Sequence, residues 1–347
     1  MNNYFSQRAQ AQSLEVKNLA DHADFPKNAL VELTNSCNHA CLFCKNPDQA
    51  RHAQKINLKI YEKFIAEASY NGLKEVGLYA TGEPFMLKDL DEYIRIAKRY
   101  KVKRVYITTN GVLATLDRVK QCIDAGLDSI KFSINAANKS DYKKIHGYDD
   151  FDTVNRNVRE IYQYKNSNNL SIQLLGSCVL VPALRDTKEQ HYNIFSDYFE
   201  DISYNIADSQ GGQAFELPFP VDLTAPIFGD VKEKPIQTKP CQMPWNRIHL
   251  TAEGYISACC VDYNLDLIMG DLNNKSLLEI WNGETAKVLR TKHMVDRLEG
   301  LLCDQCMNNR PAPFSPLTTV EFSVKSQKVR ENELKKLRKR FIEVKPI

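Results

Sequence analysis

Ten of the 347 residues are cysteine, and most of them fall into two sets whose spacing suits a metal. The first is CNHACLFC, where Cys37, Cys41 and Cys44 stand at C-x3-C-x2-C spacing just after the apolar run ALVELT. Thiolates are soft ligands that select zinc, copper(I) or iron–sulfur clusters. Three of them are one too few to saturate a tetrahedral metal or a cubane cluster. Around a four-iron cluster they would leave one iron open to a small molecule; around zinc, His39 lies between two of the cysteines and offers a fourth ligand. The second set is Cys241, the adjacent pair Cys259 and Cys260, and the C-x2-C of Cys303 and Cys306. Its spacing alone fits a zinc ribbon and a cluster site equally. Of the remaining cysteines, Cys122 in the helical pattern QCIDAG and Cys178 on a strand read as packed side chains.

The surroundings of these sets limit the alternatives. A net charge of +3 gives no global field for nucleic acid or for a membrane surface. The amino terminus has no basic start followed by an apolar core, and the longest apolar run, LLGSCVLVPAL, is too short to span a bilayer. The expectation is a soluble, cytoplasmic protein, in which reduced thiols and metal ligands are more natural than disulfides. The chain is 43% hydrophobic, enough for a substantial core.

Six apolar or β-branched runs must position the first set: residues 29–34, 75–80, 104–109, 129–134, 170–181 and 201–206. Amphipathic segments such as NLKIYEKFIAEASYNG and LKDLDEYIRIAKRY lie between them, with apolar residues at helical spacing. Such alternation predicts an α/β fold with parallel strands joined by crossovers. Six strands predict a partial (βα)6 barrel rather than a closed eight-stranded one. The cysteine loop then falls at the carboxyl edge of the first strand, where α/β barrels place their chemistry. The expected organisation is an extension at 1–28, a barrel at 29–208, a Gly- and Pro-rich linker at 209–240, a small cysteine-rich domain at 241–312 and a basic carboxyl-terminal helix at 313–347. A hairpin turning near Glu253 and Gly254 is expected inside the cysteine-rich unit.

Further motifs end successive strands: TGEP (Thr81, Gly82, Glu83, Pro84) the second, TTNG (Thr108 to Gly111) the third, and SIN (Ser133 to Asn135) the fourth. Together with C-x3-C-x2-C and the aromatic Phe43 before its last cysteine, this series resembles the radical S-adenosylmethionine enzymes. TGEP is similar to that family's GGEP motif, with Thr81 in place of the first glycine. The resemblance implies a [4Fe-4S] cluster on Cys37, Cys41 and Cys44 whose open iron chelates S-adenosylmethionine. It further implies that Thr81, Gly82, Glu83 and Pro84 hold the methionine amino group, and that Thr109, Asn110, Ser133 and Asn135 contact ribose or carboxylate. One electron, from a donor such as flavodoxin or ferredoxin, would cleave the sulfonium to a 5′-deoxyadenosyl radical.

The second set resembles the auxiliary-cluster domain of these enzymes, of SPASM or abbreviated twitch type. No cysteine follows Cys306, so one auxiliary [4Fe-4S] cluster is expected, on Cys241, Cys259, Cys303 and Cys306, with Cys260 able to replace Cys259. A substrate radical has three simple fates: oxidation by loss of an electron and a proton, epimerisation by return of a hydrogen atom, or bond formation within the molecule. A fully ligated second cluster suits the first, and Cys260 as a hydrogen-atom donor suits the second. The expected substrate is a small polyol, aminocyclitol or sugar-like molecule. The alternatives are modification of a peptide or protein, and a non-enzymatic protein with structural zinc in both sets. Arg185, Asp186, His191 and Asp208 are candidate bases, with Gln210 as a positioning group.

Overall fold

The computed structural model describes residues 4–7, 19–181, 187–207, 210, 211, 213, 239–308, 310–321 and 324. The first six strands are β1 (Asn28–Val31), β2 (Glu75–Gly77), β3 (Arg104–Thr109), β4 (Ser129–Ser133), β5 (Gln173–Leu180) and β6 (Asp201–Ile206). The crossovers carry α1 (Leu58–Tyr70), α2 (Leu90–Arg99), α3 (Leu116–Asp124), α4 (Lys139–His146), α5 (Phe151–Ser167) and α6 (Thr187–Phe195). Each successive pair of these strands is parallel, so all six expected strands form one curled α/β sheet. The ladders of β1 and β2 stop short of the expected runs, because Glu32 to Thr34 and Tyr79 to Thr81 already belong to the loops that build the site.

Helix formation follows local rules. In α1 the buried residues Tyr61, Phe64, Ile65 and Ala68 recur at helical spacing, and the Asn57 side chain caps the helix by accepting from the Lys59 amide at 2.9 Å. Such stripes pack against Ala29, Val31, Val76, Val105, Ile107 and Phe132 on the outer face of the sheet. The opposite face lines the barrel. There a Cβ on Gly77 would lie 2.4 Å from Leu30 and 2.7 Å from the Tyr106 ring, which accounts for a glycine inside a strand. On this face the Arg104 guanidinium donates to Ser129 Oγ at 2.8 Å and to Gln173 Oε1 at 2.6 Å.

The cysteine-rich segment continues the same sheet. β7 (Arg247–Leu250) pairs parallel with β1 from Asn28 and Arg247 to Val31 and Leu250. β8 (Tyr255–Ser257) returns antiparallel through a turn in which Gly254 has φ +92°, as expected for the hairpin. β9 (Ile268–Asp271), an edge strand that the residue pattern does not reveal, completes the order β6-β5-β4-β3-β2-β1-β7-β8-β9. The short helices α7 (Met243–Asn246), α8 (Leu277–Trp281), α9 (Glu284–Met294) and α10 (Leu302–Asn308) complete this unit. The two ends of the sheet approach each other: Gln213, beyond β6, donates to the Val261 carbonyl, and the Tyr263 hydroxyl donates to Gln210 Oε1 at 2.7 Å. Of the basic helix expected at 313–347, residues 313–321 are described and are not helical, and the remainder apart from Val324 lies outside the described residues.

The buried Glu32 carboxylate ties these parts together. It accepts from Arg51 Nη2, from the Thr81 hydroxyl and, at 3.1 Å, from the Ala252 amide in the β7–β8 turn. Arg51 also lies 3.5 Å from Glu253. Removing one member of a buried pair strands the other charge. Arg51→Met is therefore expected to lower unfolding free energy by about 3–5 kcal/mol, read by urea denaturation.

Candidate functional site

Cys37, Cys41 and Cys44 lie in the loop that leaves β1, and amide side chains lock that loop in place. Asn46 Nδ2 donates to the Asn35 carbonyl at 2.8 Å and to the Thr81 carbonyl at 2.7 Å, while Gln49 Nε2 donates to Asn35 O at 2.8 Å. The end of α4 supports the loop from beneath through Ala40 N to His146 O at 3.2 Å and Leu42 N to Ile145 O at 2.8 Å. Each sulfur meets a polar hydrogen. Cys37 accepts from the His39 amide at 3.4 Å, Cys44 accepts from the Asn46 amide at 3.4 Å, and Cys41 lies 3.5 Å from His146 Nδ1. Tyr263 of the cysteine-rich unit brings its hydroxyl to 3.6 Å from Cys44.

Burial pushes all three thiols up, Cys37 to about 12, and for Cys37 and Cys41 neighbouring negative groups add to it. A bound cation reverses that balance by favouring the thiolates, and N–H groups aimed at the sulfurs then stabilise the charge. This donor set fits a thiolate-held cluster. His39 is not a spare ligand for it. Its ring turns to Asp150, with Nε2 at 3.3 Å, and to His146, with the two Nδ1 atoms 3.2 Å apart.

The strand-end motifs converge on the same loop. Gly82 runs against the cysteine loop, since a Cβ there would stand 2.2 Å from Thr34 O and 2.6 Å from Ser36 O. Glu83 is fully committed: its carboxylate accepts from Phe85 N at 3.0 Å, Thr109 Oγ1 at 2.8 Å and Asn110 N at 2.8 Å, and its own amide donates to Ser36 O at 2.8 Å. Burial raises its pKa against the pull of these hydrogen bonds. Pro84 opens the short 3₁₀ turn Pro84–Met86 that follows. Asn110 Nδ2 donates to Asn38 Oδ1 at 2.8 Å and lies 3.9 Å from Cys37. Asn135 accepts from Val179 N at 2.7 Å and donates its amide to His146 Nε2 at 3.2 Å. Ser133 sits on the barrel-lining face of β4, paired with Ser177 of β5. Thr108, named above only as part of TTNG, places a buried hydroxyl that has no hydrogen-bond partner among the described residues; strand parity puts it on the barrel-lining face, whereas Thr109 is bound to Glu83.

Cys241, Cys259, Cys303 and Cys306 line one cavity with Gly211, Val261 and apolar side chains such as Met243, Leu289 and Leu302. Cys260 does not line it. The hydrogen bond between the adjacent thiols pushes Cys259 up and pulls Cys260 down, and His249 and Arg247 beside Cys260 add to the latter effect. Among the candidate bases, Arg185, Asp186 and Asp208 lie outside the described residues. His191 faces the helical layer, with Nδ1 3.1 Å from the Tyr204 hydroxyl and its ring 4.7 Å from Phe195. Cys178 pairs with Tyr204 across the ladder and is buried on that same outer side. Cys122 is likewise buried within the core. Gln210 accepts from the Tyr263 hydroxyl, which lies 3.6 Å from Cys44.

Comparison with known proteins agrees with this arrangement. The Radical SAM superfamily model matches residues 31–180, and the model of the SPASM iron–sulfur cluster-binding domain matches 241–307. The chain carries the domain of the radical S-adenosylmethionine superfamily and, over 241–307, a SPASM domain; it is an enzyme of that class, with a SAM-binding [4Fe-4S] cluster and an auxiliary cluster as its cofactors. Among curated relatives, a probable GTP 3′,8-cyclase of Pyrococcus abyssi is 27% identical over 281 residues, spanning 71% of this chain and 89% of the relative. Two solved structures share the fold. Streptococcus suis SuiB bound to precursor peptide SuiA has a TM-score of 0.62 at 15% identity, covering 84% of this chain and 73% of SuiB. BtrN in complex with AdoMet and 2-DOIA has a TM-score of 0.53 at 17% identity, covering 78% of this chain and 88% of BtrN. Among the described residues no helix is long and apolar enough to cross a membrane.

One outcome tests the site and a second tests the burial of His191. Replacing Cys37, Cys41 and Cys44 together by Ala is expected to take iron from about eight to about four atoms per chain after anaerobic reconstitution, given four irons per cubane; zinc in place of the remaining iron would make the second site structural. Burial lowers the His191 pKa to about 4. The fold thus favours the neutral ring, and its contribution is complete above the ordinary value of about 6.5 and lost as pH falls toward about 4. His191→Gln is expected to lose less thermal stability than wild type over that interval, measured by circular dichroism.

Proposed function

We propose that this enzyme oxidises an alcohol of a small polyol, aminocyclitol or sugar-like substrate to a carbonyl, with residues 29–208 generating the radical and 241–312 accepting an electron. Cys37, Cys41 and Cys44 hold the SAM-binding cluster in this reading. Cys241, Cys259, Cys303 and Cys306 hold the auxiliary one. When bound, the cluster and S-adenosylmethionine supply a 5′-deoxyadenosyl radical, the starting electron coming from a flavodoxin- or ferredoxin-type donor. The observation that carries the reading is the convergence of four thiols on one largely apolar cavity. A cluster with four protein ligands has no open iron for substrate, which leaves electron transfer as its role.

The chain's own residues supply the rest. Glu83, Asn110 and Asn135 fix the strand ends that would border S-adenosylmethionine, so the reacting carbon is presented to one substrate C–H bond. Abstraction takes one hydrogen atom; the resulting carbon radical then gives up the hydroxyl proton to solvent or base and one electron to the second site. The balance is alcohol to carbonyl, with 5′-deoxyadenosine and methionine released. Tyr263, which bridges from the cysteine-rich unit to Cys44, ties the two sites into one rigid frame.

A second reading is favoured by one observation, the 27% identity to a probable GTP 3′,8-cyclase across 89% of that relative. There the substrate radical would attack within its own molecule, and the substrate would be GTP. Incubation of the reconstituted enzyme with S-adenosylmethionine, a reductant and either GTP or a panel of polyols and aminocyclitols separates the two. The expected product is a carbonyl compound lighter by two hydrogens, without deuterium from heavy water. A cyclised product from GTP would replace this proposal by the second reading. A product of unchanged mass carrying solvent deuterium, absent with Cys260→Ser, would establish epimerisation through Cys260.

A further inference from the structure

The segment between β4 and α5 brings a histidine and an aspartate against His39 at the back of the first cysteine set, and none of the motifs above accounts for them. His146, the last residue of α4, and His39, inside the cysteine loop, are 1% and 5% exposed. Both rings carry their protons in hydrogen bonds, since each nitrogen of either ring has a polar partner.

The hydrogen bonds assign those protons. Asn135 donates its backbone amide to His146 Nε2 at 3.2 Å, so that nitrogen is an acceptor and the ring proton sits on Nδ1. From Nδ1 two acceptors are in reach: Cys41 Sγ at 3.5 Å and His39 Nδ1 at 3.2 Å. With Nδ1 of His39 accepting, its proton lies on Nε2 and is donated to Asp150 Oδ2 at 3.3 Å. Aromatic contacts hold both rings in these orientations. Tyr142 stacks on His146 at 4.0 Å and 15°, and Tyr148 stacks on His39 at 5.8 Å and 14°. A backbone contact completes the unit, since the cysteine loop is also bonded to His146 O through Ala40 N.

We infer that His146 is a positioning residue of the radical-generating site: it presents Nδ1–H to Cys41, is oriented by His39 and Asp150, and raises the reduction potential of the cluster that Cys41 ligates. A hydrogen bond to a ligating sulfur stabilises the more negative, reduced cluster, and such bonds tune iron–sulfur potentials. The same ring grips the amide of Asn135 at the end of β4. One imidazole therefore sets the distance between the cluster loop and the strand end expected to contact S-adenosylmethionine.

The inference rests on the proposed ligand role of Cys41, which the iron count of the triple-alanine protein tests separately. The experiment is a redox titration of the full reconstituted chain, following the electron paramagnetic resonance signal that changes when S-adenosylmethionine is added. His146→Leu is expected to move the midpoint to a more negative potential with iron content unchanged. His146→Asn keeps an N–H near the position of Nδ1 and is expected to return the midpoint toward wild type. Asp150→Ala, at a half-exposed position outside the cysteine loop, is expected to move it in the same direction as His146→Leu by a smaller amount.

A midpoint equal to wild type in His146→Leu, or in Asp150→Ala where His146→Leu takes up no iron, would overturn the inference. Zinc would do so as well. His39, Cys41 and His146 place one ligand atom each within 4.8 Å of one another, and stoichiometric zinc in wild type that disappears in His146→Leu would make this trio a metal site instead.

Discussion

The arrangement depends first on the buried carboxylate of Glu32. It stands one residue past β1, where the chain leaves the sheet to form the cysteine loop. Arg51 reaches it from the far end of that loop, Thr81 from the motif after β2, and the Ala252 amide from the turn between β7 and β8. A buried carboxylate is tolerable only when its acceptor sites are filled and its charge is matched. Those donors come from three separated stretches of chain, so desolvation of one group forces the cysteine loop, a strand-end motif and the cysteine-rich unit into a single register. Thr81 gains a reason to stand where the resembling motif has glycine: its hydroxyl is one of the filled sites.

The second constraint is backbone proximity. Gly82 lies so close to the carbonyls of Thr34 and Ser36 that any side chain would displace the cysteine loop. Glu83 then ties this approach to β3 through Thr109 and Asn110. The motif residues do two jobs here. They border the expected cofactor position, and they also satisfy one another, which preorganises the edge of the barrel before any cofactor arrives. The donors around the sulfurs follow the same economy. Backbone amides of His39 and Asn46 serve Cys37 and Cys44, where a tight turn places them for free. Cys41 lies against a side chain, His146, from a different element.

Much of this was legible in the sequence, for physical reasons that differ by level. Parallel strands covered by helices read as unbroken apolar runs; five of the six appear within the expected ranges, and β1 starts one residue early, at Asn28. The cysteine spacings and the strand-end motifs were visible because they are local. What stayed hidden was long-range or single-atom information. The Glu32 and Arg51 pair has no periodic signature. His146 and Asp150 look like ordinary surface residues of a loop rich in lysine, tyrosine and aspartate, and only folding brings them beneath Cys41. The short strand β9 reads as irregular because Gly270 interrupts it, yet a Cβ there would lie 2.9 Å from Ile280, so the helix α8 can press on the strand only because that side chain is missing. Thr108 and Thr109 cannot be told apart by type. Strand parity separates them, giving one to the barrel interior and the other to Glu83.

Continuity of the sheet gives the auxiliary site its meaning. A cysteine-rich appendage on a flexible tether would hold a cluster at a variable distance from the barrel, and electron transfer between the two sites would vary with it. Here β7 pairs with β1 along its whole length, and the cysteine loop departs from the end of that same β1. Tyr263 touches Cys44 on one side and Gln210 on the other, and Gly211 and Val261 face the cavity of the four thiols. The second cysteine set is thus built against both the first strand and the segment that follows the sixth. Its position is fixed by main-chain hydrogen bonds to β1, which suits the proposed transfer of an electron from a short-lived radical.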